Sequence, residues 1–316
     1  MNAHPLGLPY GGLPAARTAP VPRGRALARR LGAYWAVLDP RSASLLTFTA
    51  FASAIVAGGL LVPARLAGIT LALGLCALGA RAVANYIDRD IDALMTRTRS
   101  RPLPSGAIPP AHALRLGIAL MAIGLLGVAS FGILALALTV LGLADNLVVY
   151  ALLTKRSSPW SIVLGAPSGG APALVGYVAI AGRIDLTALF LLGFVLVWTP
   201  IHIWSLAIRS RDDYARADVP MLPVTSGVCW SARCVGLASL VLAVLTLAFV
   251  FGSGTRLVAP IGALATVLGA VLVLGSLRLV QAPTAERAWK CFKLTAPYLG
   301  TLFALLALNA AVVGGV

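Results

Sequence analysis

Long apolar stretches, separated by short polar breaks, fill the chain beyond residue 41. They do not show the strict alternation of half-buried strands. Each approaches the roughly 20 residues that a helix needs to cross a hydrocarbon core of about 30 Å. Nine spans are predicted, at about 42–62, 66–86, 112–129, 132–154, 158–181, 185–208, 231–251, 257–279 and 294–314. Pro63, Pro109, Pro110, Pro159 and Pro260 mark their ends, whereas Pro167, Pro172 and Pro200 fall inside spans. An internal proline frees a backbone carbonyl, which is tolerated only against protein or a wet cavity. Gly165, Gly169, Gly170 and Gly176 in the same region suit close helix contact. Most connections are tight, but two long loops are predicted, at about 87–111 and 209–230. Loops of that length in a compact protein often carry function.

Composition agrees with a bilayer environment. The chain is 59% hydrophobic and 11% charged, with a mean hydropathy of +0.92, where a soluble domain is about a quarter charged. The expectation is an all-α polytopic membrane protein, with one domain over 42–316 and a flexible cytoplasmic N-terminal tail over 1–41. A net charge of +15 would suggest nucleic acid in a soluble protein. Here the cations gather in the tail and in the loops after spans 2, 4, 6 and 8, while the opposite loops carry only Arg65, Arg183 and Arg256. This positive-inside pattern places the amino terminus and both long loops in the cytoplasm, and no nucleic-acid partner is expected. Cys76, Cys229, Cys234 and Cys291 are scattered, which argues against a disulfide framework or a cysteine metal site. Residues 1–41 lack the apolar core of a signal peptide. Their arginines leave a mitochondrial targeting segment as the alternative to a cytoplasmic tail, although serine is scarce. The expected location is therefore the cell (inner) membrane, with the mitochondrial inner membrane as the alternative.

Six of the ten acidic residues lie in the two long loops: Asp88, Asp90, Asp92, Asp212, Asp213 and Asp218. Asp88 and Asp92 are four apart, so a helix running on from span 2 would put both on one face, with Ala84 a turn earlier. Like charges at that spacing repel, and a divalent cation between them removes the penalty. Mg²⁺ is typically held by one or two carboxylates together with phosphate oxygens and water. Arg97, Arg99 and Arg101 follow at once, and guanidinium groups match phosphate oxygens two at a time. Two readings stand at this point: a solvated loop with internal salt bridges, or a metal–diphosphate site at the membrane surface. Asp212 and Asp213, just beyond span 6 on the same face, favour the second, with two metal positions clamping one diphosphate.

The stretches "YIDRDIDALMTRTRSRPL", "WTPIHIW", "DDYARADVPMLPV" and "VVYALLTKRSSPWSIVLGAPSGGAPALVGYVAIAG" resemble the signatures of the UbiA superfamily of intramembrane prenyltransferases. They are most similar to its protoheme IX farnesyltransferase (heme O synthase) branch, over roughly residues 40–310. The resemblance implies a bundle of about nine helices around a central cavity. It implies that a farnesyl group passes from farnesyl diphosphate to a vinyl group of heme B, with Mg²⁺ as cofactor. Asp88 and Asp92 would bind metal and diphosphate, Asp212 and Asp213 would serve the second acidic motif, and Arg97, Arg101, Lys155 and Arg156 would hold the diphosphate. His202 and Trp204 are expected near the acceptor; Asn85, Tyr150 and Tyr214 are further substrate-binding candidates. Partners beyond the bilayer would be heme A synthase or terminal-oxidase assembly factors. The sequence departs from the family where Ala84 replaces an asparagine, with Asn85 one place later, and where Ile201 and Ile203 replace a proline and a phenylalanine. These departures keep an aromatic or quinone-precursor acceptor as the alternative within the class. A transporter is the alternative outside it, but transporters tend to hold ionisable groups near the midplane, and here they cluster at one face. Asp145 and Asn146 do fall inside span 4. For Asp145, either a structural ion pair with Arg81 or a place in the cavity wall is expected.

Overall fold

The computed structural model describes residues 23–252 and 258–313, and every regular element among them is helical. The chain begins with α1 (Arg23–Leu38) and α2 (Pro40–Val56), then α3 (Pro63–Ile87) and the short α4 (Arg89–Leu94). Next come α5 (Pro110–Ala129), α6 (Ile133–Ala144), α7 (Ser161–Leu164), α8 (Ala166–Ala181) and α9 (Leu186–Arg209). The short α10 (Arg211–Arg216) and α11 (Leu222–Thr225) lead to α12 (Val228–Gly252), α13 (Ala259–Gln281) and α14 (Ala285–Val313). Eight helical segments among the described residues are long and apolar enough to cross a membrane, and the chain is a multi-pass membrane protein. The first predicted span is α2, whose 17 residues reach about 26 Å, the short end of the spanning range. It stops at Gly58, whose φ of 91° breaks the helix.

The spanning helices form two successive four-helix groups. In the first, α3 packs on α5, α5 on α6, and α6 on α8; in the second, α9 packs on α12, α12 on α13, and α13 on α14. Broad contact between α9 and α14 closes the second group, whereas α3 and α8 barely touch, leaving the first group open. Helix α2 lies between the groups, against α3, α8 and α14. Small residues set these approaches. A Cβ on Gly79 would stand 2.6 Å from the carbonyl oxygen of Gly117 on α5, and one on Gly176 would stand 2.2 Å from that of Ala50 on α2.

Of the expected tail, residues 23–38 form a helix docked on the bundle, and residues 1–22 lie outside the described residues. Val37 is buried with Ala82, Leu103, Ile108 and Ala113. The Asn85 side-chain amide donates to the Val37 carbonyl at 2.7 Å, and the Tyr34 hydroxyl meets His112 Nδ1 at 3.0 Å. Helix α1 thereby covers the outer side of the long loop after α3.

Candidate active site

The opening acidic stretch keeps its helical path. Asp88 caps α3, and the Asp92 N–H donates to the Asp88 carbonyl at 2.8 Å, as an i, i+4 pair requires. The three carboxylates have different partners. Lys155 donates its ammonium to Asp88 Oδ2 at 2.5 Å, with only 12% and 13% of the two side chains exposed. The second oxygen of Asp88, Oδ1, is buried without a hydrogen-bond partner among the described residues. Asp92 is buried and accepts from Arg101 at 2.8 Å. Asp90 points outward and takes both hydrogen-bonding nitrogens of Arg156, at 2.6 and 2.7 Å. Those hydrogen bonds hold its carboxyl down at about 2, against a weaker upward push from burial. Arg156 also donates to the Ile87 carbonyl at 3.0 Å, which fastens the end of α3.

Lys155 reaches this place because the helix after α6 changes pitch. From Asp145 to Thr154 the turns widen to π geometry, and the Lys155 N–H donates to the carbonyl of Tyr150, five residues back, at 2.8 Å. Such widened turns often mark functional sites. The Tyr150 ring centroid lies 5.6 Å from the Lys155 ammonium. The ring fits because residue 165 is glycine: a Cβ there would stand 2.7 Å from that of Tyr150.

The second acidic segment is tied to the first. Asp213 accepts the backbone N–H of Thr96 at 3.0 Å, that of Arg97 at 3.1 Å, and Arg216 at 2.7 Å. Burial pushes its carboxyl up, but these donors outweigh burial and hold it below the usual range. Both oxygens of Asp213 are engaged in this way, and Asp212 is exposed. Tyr214 is buried between the segments. Burial raises its phenol, the charges of Arg97 and Lys155 oppose that, and Tyr150 and Asp88 add to it. Asp88, Arg97, Tyr150, Lys155 and Tyr214 thus surround one mouth. Among the described residues the Arg97 guanidinium has no acidic partner, while Lys155, Arg101, Arg156 and Arg216 each have one.

A cavity of about 70 Å³ lies below, between α2, α3, α6 and α8, with Arg81, Asn146 and Ser168 as polar lining among Leu46, Leu73 and Pro172. Leu73, Ala77 and Arg81 follow each other at helical spacing on α3, and Asp88 continues that face to the mouth. Arg81 does not pair with Asp145. It donates to Asp39 at 2.7 Å, while its Nε is buried without a partner. Asp145 instead accepts the Ser168 N–H at 2.9 Å, supplying an acceptor to the first turn of α8. Ala84 is buried and offers no donor beside Asp88. Asn85 faces α1 and lies 3.5 Å from Arg101, on the Asp92 side.

His202 and Trp204 leave α9 in different directions. His202 stacks between Trp198 and Phe292, at centroid distances of 4.5 and 4.3 Å, and its Nδ1 meets Thr295 Oγ1 at 2.6 Å. The one hydroxyl hydrogen of Thr295 goes to the Phe292 carbonyl, so Nδ1 is the donor to Thr295. Trp204 meets Trp160 edge to face at 6.0 Å, on the side of α9 toward α7. Sequence reasoning did not single out Asp39, the amides of Thr96 and Arg97, Ser168 or Thr295. The Asp39–Pro40 pair at a helix start was a signal for Asp39. The others act through backbone groups or hydroxyls, which leave no mark in a charge pattern.

Comparison with known proteins agrees with this architecture. Residues 45–309 match the UbiA prenyltransferase family. Protoheme IX farnesyltransferase of Desulforudis audaxviator is 42% identical over 280 residues, covering 86% of each chain. That of Thermoplasma acidophilum is 37% identical over 277 residues, covering 86% of this chain and 96% of the relative. Among solved structures, a UbiA homologue from Archaeoglobus fulgidus bound to GPP and Mg²⁺ superposes with a TM-score of 0.66 at 15% identity, over 87% of this chain and 99% of that one. A UbiA homologue from Aeropyrum pernix gives 0.66 at 22% identity, over 85% and 98%. At these identities the structural likeness concerns the fold. With the family matched over most of its length and the acidic mouth set above a bundle of this fold, the chain belongs to the UbiA prenyltransferase family and is a membrane-embedded prenyltransferase.

Proposed function

We propose that the enzyme transfers a farnesyl group from farnesyl diphosphate to a vinyl group of heme B, forming heme O, with the mouth on the cytoplasmic side. The observation that carries the site assignment is Asp88: one oxygen on Lys155, the other buried and unpartnered, at the top of a helix face that runs down into the cavity. The names of the relatives support the acceptor.

The donor set fits Mg²⁺. Among the described residues no three His, Cys, Asp or Glu side chains cluster to enclose a metal by themselves. Mg²⁺ bound with a diphosphate does not need such a cage, since phosphate oxygens and water complete its shell. Asp88 and Asp92 would hold it, with Asp212 the exposed acid of the second segment. Bound there, the metal would supply positive charge to the departing diphosphate.

The chain's own residues supply the rest. Arg97 is free to meet the terminal phosphate, and Lys155 can pass from Asp88 to a phosphate oxygen when that carboxylate takes a metal. Asp213 keeps Thr96 and Arg97 in place, so the cations are positioned before the substrate arrives, and little reorganisation is left for the reaction. The bond between C1 and oxygen breaks with its electron pair going to the diphosphate. The vinyl group attacks C1, and the resulting cation takes up water and releases a proton to solvent. The apolar walls below the mouth keep stray water from the allylic cation until the acceptor has reacted.

The test is a membrane assay with farnesyl diphosphate, Mg²⁺ and either heme B or 4-hydroxybenzoate, analysed by mass. The expected result is heme B heavier by a farnesyl group and a hydroxyl group, added across one vinyl double bond. Prenylated phenol with unmodified heme B would overturn the acceptor.

A further inference from the structure

A second hollow is far larger than the one beneath Asp88. It is a groove of about 790 Å³ between the α7–α8 junction, α9 and α12. Its α12 wall follows one helical stripe, from Trp230 and Arg233 through Cys234 to Ala238 and Val241. Trp160 and Trp204 form the facing rim. Three of the six tryptophans of the chain therefore meet in one place. Tryptophan is common at membrane interfaces singly, and that alone would need no ligand. Three further features do not fit a wall that faces only acyl chains. Trp204 is 4% exposed, and its indole N–H is buried without a partner. Pro200, also in the lining, cannot donate to the carbonyl of Leu196, which lines the groove a turn below. Arg233 stands exposed at the rim with no ion-pair partner among the described residues.

We propose that this groove is the docking site of the acceptor, a flat conjugated macrocycle that carries carboxylates and arrives from the bilayer. The inference rests on the heme B reading above and adds a place to it. Aromatic rims suit a rigid conjugated plane better than a flexible chain. Arg233, near the α12 end that shares the mouth, suits a carboxylate at the level of the lipid headgroups. A phospholipid would satisfy Arg233 through its phosphate, but its flexible acyl chains would make little use of the rigid aromatic rim. The groove is separated from the cavity below Asp88 by the first turns of α8, where Gly169 and Gly170 stand. It is therefore a holding site beside the reaction chamber, and Trp204 and Arg233 are positioning residues for the acceptor.

The test uses the full chain in phosphatidylcholine nanodiscs, titrated with heme B and followed at the Soret band. Ala238→Trp fills the groove, and Arg233→Gln removes the rim cation without adding bulk. Ala238→Trp is expected to weaken heme binding at least tenfold and to raise the KM for heme B similarly, with kcat and the KM for farnesyl diphosphate unchanged. Arg233→Gln is expected to give a smaller loss in the same direction, which keeps the test decisive if the bulky variant does not fold. Unchanged heme binding and KM in folded variants, in an enzyme that does farnesylate heme B, would overturn the groove and leave the acceptor standing. Displacement of heme by phosphatidylglycerol, with turnover unaffected, would mark a lipid site and also overturn it. Failure of the unaltered enzyme to modify heme B is the separate outcome that removes the acceptor reading.

Discussion

Asp88 follows α3 and Asp213 lies just beyond α9, at matching ends of the two four-helix groups, and both carboxylates meet cations. They differ in what is left over. Asp88 gives one oxygen to Lys155 and keeps the other buried and unpartnered. Asp213 has both oxygens engaged: two backbone N–H groups and Arg216 donate to them. An unsatisfied buried acceptor costs stability, and an enzyme tolerates that cost where a ligand completes the set. A carboxylate engaged at both oxygens fixes geometry instead. On the proposed function the two acidic segments divide the work, the first presenting a ligand-ready group and the second holding the first segment's loop in place.

The largest effect is expected where the ligand-ready group is removed. Asp88→Asn should lower turnover by about 10²–10³-fold while helix content and membrane insertion stay unchanged, measured by product mass against circular dichroism. Wild-type turnover in this variant would erase the distinction between the segments. Asp213→Ala should act differently. It removes the acceptor of the exposed Thr96 and Arg97 N–H groups, at about 0.5–1.5 kcal/mol for each hydrogen bond. Hydrogen exchange at those two amides should accelerate, and the KM for farnesyl diphosphate should rise more than kcat falls. Protection that is unchanged at both amides would show that Asp213 does not fasten the loop.

The smallest effect is expected at Asp90, which is 60% exposed and, among the described residues, pairs with Arg156 alone. Asp90→Asn should cost less than about 1 kcal/mol. The pH dependence has a fixed sign. Arg156 lowers the folded-state carboxyl to about 2 from its ordinary 3.8, so the pair contributes fully above about 4 and is lost as pH falls toward 2. Thermal melts of wild type and variant should differ by the same small amount from pH 8 to 5 and converge below pH 3.

The spans were legible because apolar length has no alternative use in a chain this poor in charge. The predicted boundary at 66–86 becomes Pro63–Ile87, and that at 132–154 becomes Ile133–Thr154. The last helix was harder. It begins at Ala285, well before the predicted 294, because Glu286, Arg287, Lys290 and Lys293 lower the hydropathy of turns that are helical all the same. Helix α1 was hidden for a related reason, since arginines dominate its sequence while Val37 and Tyr34 do the docking. The charged cluster was legible: Asp88 and Asp92 share a helical path, and Lys155 stands on the first of them. The pairings were not. Arg81 took Asp39 rather than Asp145, because the end of α1 brings Asp39 over the end of α3 while Asp145 turns to the backbone of α8. His202 and Trp204 are two residues apart, and helical geometry alone sends such neighbours to different faces.

The central claim is that Asp88 helps hold a metal-bound diphosphate at the mouth. The most direct measurement is calorimetric titration of a non-hydrolysable farnesyl diphosphate analogue into wild type and Asp88→Asn, with Mg²⁺ and again with excess chelator. The account predicts tight wild-type binding that weakens at least tenfold in chelator, and weak binding by Asp88→Asn that chelator leaves unaltered. Equally tight binding in all four titrations would contradict it.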